Sequence, residues 1–180
     1  MKAGIRISGF GGQGIILSGV IVGKAAVLDG FNAVQTQSYG PEARGGSTRS
    51  EVVVSDEEID YPKVESASVS LIMSQEAFFK YASRTKREGI IIYDPELIPD
   101  NKIEGNFKLA EVNATRIASE LGTKIVANIV MLGAFNEICN LISHDAMIES
   151  IKDSIPKMLD LNLNAFEAGK KNVRIINKPI

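Results

Sequence analysis

The segment that indicates the fold is GIRISGFGGQGIILSGVIVGKAAVLDGFNAVQT, residues 4–36. GIRIS predicts a short strand, GFGGQG a tight turn, and the apolar run IILSGVIVGKAAVL a helix. Gly30 is suited to end that helix, because glycine readily adopts the left-handed conformation of a helix cap. FNAVQT then predicts a second strand, so the segment indicates a right-handed βαβ unit.

The same alternation continues along the chain. TRSEVVVS, SVSLIMS, GIIIYD and NFKLAEV predict strands, and helices are predicted in QEAFFKYAS, ATRIASEL, KIVANIVMLGAFNEICNLI, HDAMIESIKDSI and a last stretch from near Pro156. Strands that alternate with helices favour a parallel sheet covered on both faces. We therefore predict one α/β domain over residues 1–180, with a Rossmann-like, mainly parallel sheet, helices on both faces and a helical C-terminal portion.

Two of the predicted helices, Ile15–Leu28 and Ile125–Cys139, are apolar on nearly every side. A helix without a polar face is buried all round. Either both helices lie at the centre of the domain, or another subunit covers part of their surface. The second alternative predicts that the isolated chain self-associates. The longest apolar stretch is short for a membrane span and contains Asn128, so no membrane insertion is expected.

Composition excludes several classes of function. The 180 residues carry a net charge of -2, without the basic excess of a nucleic-acid-binding protein. With one cysteine, Cys139, and one histidine, His144, the chain cannot by itself hold a structural zinc ion or an iron–sulfur cluster, and we predict no metal site. No intrachain disulfide is possible and no signal peptide is recognisable, which fits a cytoplasmic protein.

The turn contains Gly9, Gly11, Gly12 and Gly14 and matches G-x-G-x-x-G between a strand and a helix. A dinucleotide site usually has an acid at the end of the second strand, where this chain has Gln35-Thr36-Gln37. We therefore expect weak or no NAD binding. Three interpretations of the turn stay open: it binds an anion, it contacts a partner, or it binds nothing.

A second polar concentration, QTQSYGPEARGGST, follows the second strand (residues 35–48). Because carboxyl ends of parallel strands share one edge, this loop and the glycine turn are predicted to be neighbours. Arg44 offers a planar fork to a carboxylate or phosphate, Glu42 an acceptor, and Tyr39 a ring and a hydroxyl. The alternative is a surface pair between Glu42 and Arg44 without a function.

Taken together, GFGGQGIILSGVIVGKAA, VQTQSYGPEARGGSTRSEVVVSDEEIDYPKV and NIVMLGAF resemble the gamma subunits of 2-oxoacid:ferredoxin oxidoreductases, most closely the 2-oxoglutarate type. The resemblance implies a reaction in which a 2-oxoacid and coenzyme A give an acyl-CoA and CO₂ while ferredoxin is reduced. It also implies that thiamine diphosphate, Mg²⁺ and iron–sulfur clusters belong to partner subunits, and that this chain binds none of them alone.

By the same resemblance, the partners are alpha, beta and ferredoxin-like delta subunits, with ferredoxin as the acceptor of the complex. The Gly40–Gly46 loop would lie toward the partner's thiamine pocket, where Tyr39, Glu42 and Arg44 position the substrate. Within the family, pyruvate, a branched-chain oxoacid or indolepyruvate are alternative substrates. Outside it, the alternative is a free-standing nucleotide-binding module.

Overall fold

A computed structural model describes residues 1–38 and 47–176 and contains one seven-stranded sheet with six α-helices. The strands are β1 (Lys2–Phe10), β2 (Asn32–Gln37), β3 (Ser47–Ser55), β4 (Ala67–Ile72), β5 (Thr85–Tyr93), β6 (Lys108–Glu111) and β7 (Arg174–Ile176). The helices are α1 (Ile15–Leu28), α2 (Gln75–Tyr81), α3 (Ala114–Glu120), α4 (Ala127–Cys139), α5 (His144–Ser154) and α6 (Leu159–Asn172). The predicted α/β class is confirmed, while β7 was not predicted.

The strand order is β2-β3-β1-β4-β5-β6-β7. β1, β4, β5 and β6 are parallel neighbours, whereas β3 is antiparallel to both β1 and β2, and β7 is antiparallel to β6. The two strands of the predicted βαβ unit thus run in the same direction but are not neighbours. β3 separates them because its apolar run pairs on both sides, with Val52 opposite Ile5 in β1 and Gln35 in β2.

The two faces of the sheet are covered unequally. Ile5, Ile7 and Val52 point to the main core, which α1, α4, α5 and α6 complete. On the other face, α2 places Phe78 and Tyr81 over β4 and β5 in a smaller core. Helices therefore cover both faces, as predicted, and the C-terminal helices form most of the thicker side.

The two apolar helices differ in their surroundings. α4 is buried from Ala127 to Asn136, between the sheet and α6. Its backbone touches that of α6: a Cβ at Gly133 would lie 2.0 Å from the carbonyl oxygen of Phe166. Packing at the centre of the domain therefore explains why α4 is apolar on nearly every side. In α1, however, Val27 is 57% exposed and Leu28 is 56% exposed, so this chain leaves one side of α1 uncovered.

Within residues 1–38 and 47–176, no helix combines the length and the apolar content needed to cross a bilayer.

Candidate functional site

The candidate site lies at the carboxyl edge of the parallel strands. The glycine turn follows β1, Met73 and Ser74 follow β4, and Asp94 follows β5. Crevices at this edge are the usual binding places in open α/β sheets. Residues from the turn, the end of β4 and the starts of α3 and α4 line the crevice at this edge.

The turn requires glycine for reasons of the fold itself. Gly12 and Gly14 have φ angles of 88° and 72°, a region that other residues rarely adopt. Gly14 is also the N-cap of α1. A Cβ at Gly9 would lie 2.4 Å from Oε1 of Gln13. Gly11 lies in the same turn. The predicted glycines are thus brought together, and three of them have structural reasons that involve no ligand.

The side chain of Gln13 fills the turn. Its Oε1 accepts a hydrogen bond from the Phe10 backbone N–H at 2.6 Å, and its Nε2 donates to the Met73 carbonyl at 2.9 Å. In this structure Gln13 therefore occupies the Phe10 N–H and ties the turn to the end of β4. The sequence holds no signal for this role, because a glutamine inside a glycine turn is equally compatible with exposure to solvent.

On its other side, the turn is tied to α4. Asn128 is buried and its Nδ2 donates to Ser18 Oγ at 3.2 Å and to the Gly14 carbonyl at 3.4 Å. Ser18 Oγ itself donates to the Gly14 carbonyl at 2.9 Å. Asn128, a polar residue in the otherwise apolar first turns of α4, thus donates hydrogen bonds to acceptors in the first turn of α1.

A cleft of about 350 Å³ opens beside the turn. Its lining is mostly apolar and consists of Gly12, Gln13, Met73, Leu97, Thr115, Lys124, Ile125 and Ala127. Ile125 is 79% exposed, and Phe10 at the edge of the turn is also exposed. Among these lining residues Lys124 is the only titratable one, so they contain no acid–base pair. The apolar lining and the exposed Ile125 make the cleft suited to contact with another molecule.

The end of β2 also differs from a dinucleotide site. The last three residues of β2 are Gln35, Thr36 and Gln37, with no acid among them, and Gln35 Nε2 donates to the Ile16 carbonyl at 3.0 Å and to Ser50 Oγ at 2.8 Å. In addition, β3 lies between β2 and the turn. Both observations give a physical reason to expect weak NAD binding.

The predicted site residues Tyr39, Glu42 and Arg44 lie outside the described residues. The residues that flank them are placed at the carboxyl edge. Ser38 donates its backbone N–H to the Arg49 carbonyl at 3.2 Å, and Ser47 pairs with Phe10. The Ser47 end of the loop therefore lies beside the glycine turn, whereas the Ser38 end lies on the other side of β3.

Three buried hydroxyl groups lie where the loop enters β3. Ser8 Oγ, Ser47 Oγ and Thr48 Oγ1 find no hydrogen-bond partner in the described part of the chain. Ser47 and Thr48 lie opposite Phe10 and Gly9 in the β1–β3 register. The composition of the chain did not point to these residues, since isolated serines and threonines carry no signal.

The face of the sheet that carries Ser8 and Ser47 also holds a buried charge network. Arg6 Nε donates to Glu51 Oε1 at 2.7 Å, and its Nη atoms donate to the carbonyls of Arg84, Val64 and Glu65. Arg49 lies 3.9 Å from the same Glu51 oxygen. The network joins β1, β3 and the segments that follow β3 and α2, so it holds the strand that begins where the loop ends.

Neither Cys139 nor His144 lies at this edge. Partial burial raises the pKa of the Cys139 thiol to about 12, so the thiol is neutral near pH 7 and is a weak nucleophile. His144 Nδ1 lies 3.0 Å from Lys170 Nζ, and Nε2 lies 3.4 Å from Glu167, which makes it a contact between α5 and α6. In the described ranges, no three His, Cys, Asp or Glu side chains are grouped as a metal site would require.

Comparison with known proteins yields a consistent set of relatives. The profile of the pyruvate ferredoxin/flavodoxin oxidoreductase family matches residues 4–172. The 2-oxoglutarate synthase subunit KorC of Methanothermobacter thermautotrophicus is 51% identical over 175 residues, covering 93% of each chain. The crystal structure of a keto/oxoacid ferredoxin oxidoreductase gamma subunit from Geobacter sulfurreducens is 39% identical, with a TM-score of 0.85 over 94% of this chain and 96% of that one.

A third similar protein carries this fold as part of a longer chain. It is a 2-oxoglutarate:ferredoxin oxidoreductase from Magnetococcus marinus, solved with 2-oxoglutarate, coenzyme A and succinyl-CoA bound. The match has 27% identity and a TM-score of 0.82, and covers 94% of this chain but 30% of that chain.

Proposed function

Because the chain belongs to the pyruvate ferredoxin/flavodoxin oxidoreductase family, we propose that it is the gamma subunit of a multisubunit 2-oxoglutarate:ferredoxin oxidoreductase. The observation that carries this proposal is the 51% identity to a 2-oxoglutarate synthase subunit over 93% of both chains. In the proposed reaction, 2-oxoglutarate and coenzyme A yield succinyl-CoA and CO₂, and the two electrons released reduce two ferredoxins.

In this proposal the chain is an accessory part of the enzyme. The residues that line its cleft include one titratable group, Lys124, which supports a role in contact and positioning. Thiamine diphosphate, Mg²⁺ and iron–sulfur clusters are assigned to the alpha, beta and ferredoxin-like delta subunits. The single cysteine is compatible with that assignment and with a cytoplasmic location.

The loop between Ser38 and Ser47 is proposed to approach the thiamine site of a partner subunit. Its support is that β3 holds both flanking residues at the carboxyl edge, with Ser47 beside the glycine turn and Ser38 on the other side of the strand. Arg44 then positions a substrate carboxylate or stabilises negative charge near it. It does not act as an acid or base, because a guanidinium group stays protonated in proteins.

The test is reconstitution of the complex from its separate subunits. The complete complex should reduce ferredoxin with 2-oxoglutarate and coenzyme A, and any subset that lacks this chain should turn over more slowly or not at all. Pyruvate, a branched-chain oxoacid and indolepyruvate serve as competing substrates. A complex that prefers one of these by turnover per KM contradicts the assignment to 2-oxoglutarate.

Arg44→Lys and Arg44→Ala examine the role of the loop in complexes whose assembly is verified by gel filtration. Loss of a preorganised donor typically lowers turnover on the order of 10²-fold. Lysine keeps the charge but loses the two-pronged geometry, so both variants should be impaired. Wild-type turnover in both would show that the loop has no part in the reaction.

A further inference from the structure

The uncovered side of α1 borders a groove of about 610 Å³. The groove lies between α1, β2 and α5, and its apolar lining comes from Val20, Gly23, Val27, Leu28 and Ala33. Gly23 has no side chain to fill the groove, although a Cβ there would meet no atom closer than Val52 Cγ1 at 3.9 Å. Charged groups lie at the rim, where Lys24 Nζ contacts Asp153 at 2.5 Å. The centre of the groove is thus apolar and the margin polar, as in a protein interface.

β2 forms the adjoining edge of the sheet. In the described part of the chain it pairs with β3 on one side and with no strand on the other. Its sequence, NAVQTQ, contains neither charge nor proline. Exposed edge strands are normally protected by such residues or by being short. The opposite edge, β7, has three residues and carries Arg174. Between Asn32 and Thr36 the edge of β2 is therefore open to pairing, whereas that of β7 is protected.

We propose that another subunit of the same oxidoreductase covers this α1–β2 face, with apolar side chains in the groove and backbone groups against β2. The inference rests on the proposed function. A heterologous subunit is favoured over a second copy. In the Magnetococcus marinus structure the similar region is 30% of one longer chain, so there this fold is covalently joined to a larger polypeptide of different sequence. In addition, β2 leads through Ser38 directly into the loop that is proposed to approach a partner.

The experiment uses the complete complex with Val27→Glu or Leu28→Glu in this chain. Both side chains are more than half exposed, so the isolated variants should melt close to the wild type in circular dichroism. A carboxylate buried in an apolar contact without a partner is strongly unfavourable. We expect the association of each variant with the other subunits to weaken at least tenfold. Phe79→Glu is the matched control, because Phe79 is 63% exposed but lies on α2, across the sheet.

Hydrogen exchange provides a second measurement on the same samples. The amides of residues 32–37 should exchange more slowly in the wild-type complex than in the isolated chain, since assembly shields the edge. Wild-type affinity in either α1 variant, unchanged exchange in β2, or an equal loss of affinity in the Phe79→Glu control would overturn the proposal.

Sedimentation distinguishes the partner from a second copy. If the α1 variants abolish self-association of the isolated chain and leave subunit binding intact, the face serves a homodimer and the proposal is wrong. The substrate assay on the wild-type complex is separate. A complex that assembles through this face but does not oxidise 2-oxoglutarate would contradict the proposed function and leave the surface assignment standing.

Discussion

Replacing Gly14 with alanine tests whether the glycine turn is required by the fold rather than by a ligand. Residue 14 has a φ of 72°, and a left-handed conformation costs an L-amino acid about 1–2 kcal/mol. The new Cβ would lie 2.5 Å from Asn128 Nδ2 and 2.9 Å from its Cγ. Asn128 must then move and lose its hydrogen bonds, which costs about 1–3 kcal/mol for a buried polar group. The two effects predict a loss of about 2–5 kcal/mol in the free energy of unfolding.

Gly12→Ala is the control for backbone strain alone. Gly12 has a φ of 88°, but nothing lies within 4 Å of the position of its Cβ. The Gly12→Ala variant should therefore lose about 1–2 kcal/mol in the free energy of unfolding. Urea unfolding of the isolated chains, followed by circular dichroism, gives both values from the midpoints and slopes.

A third variant isolates the contact. In an Asn128→Ala background the side chain that obstructs residue 14 is gone, so Gly14→Ala should cost no more than Gly12→Ala does. Equal losses for Gly14→Ala and Gly12→Ala in the wild-type background, or an unchanged penalty in the Asn128→Ala background, would refute the reasoning.

Three further measurements concern the core and its charges. Gly169→Ala should lower the free energy of unfolding by about 1–3 kcal/mol in chemical denaturation, because its Cβ would lie 1.9 Å from the Val130 carbonyl oxygen of α4. Gly23→Ala should raise it by up to about 1 kcal/mol, because alanine favours the helix and its Cβ there meets no atom closer than 3.9 Å. Glu51→Ala leaves Arg6, which is 2% exposed, without its carboxylate and should cost about 3–5 kcal/mol; a smaller loss than for Gly169→Ala would contradict this. The partly buried Cys139 thiol, with a pKa of about 12, should react with iodoacetamide at pH 8 more slowly in the native chain than in the denatured chain, and equal labelling rates would contradict the raised pKa.

Local features of the chain were predictable because they depend on neighbours in sequence. The succession of strands and helices along the chain follows from apolar periodicity, and the turn at Gly9–Gly14 follows from residues that tolerate positive φ. The lack of an acid after the second strand already argued against a dinucleotide site. The family could likewise be inferred from the residues themselves, since GFGGQG and the loop after β2 are read directly in the sequence.

The tertiary structure alone decided the partners of these elements. β3 inserts between β1 and β2 because strand pairing is set by contacts between residues far apart in sequence, which periodicity does not specify. The site residues Gln13 and Asn128 were not predictable for the same reason, since their bonds to Met73 and to Ser18 join distant segments. Hydrophobicity on every side of α1 and α4 predicted that both helices are covered, but not by what. Packing against the sheet and α6 buries α4, while α1 keeps an apolar side free, because this chain has no further element to place against it in its described residues.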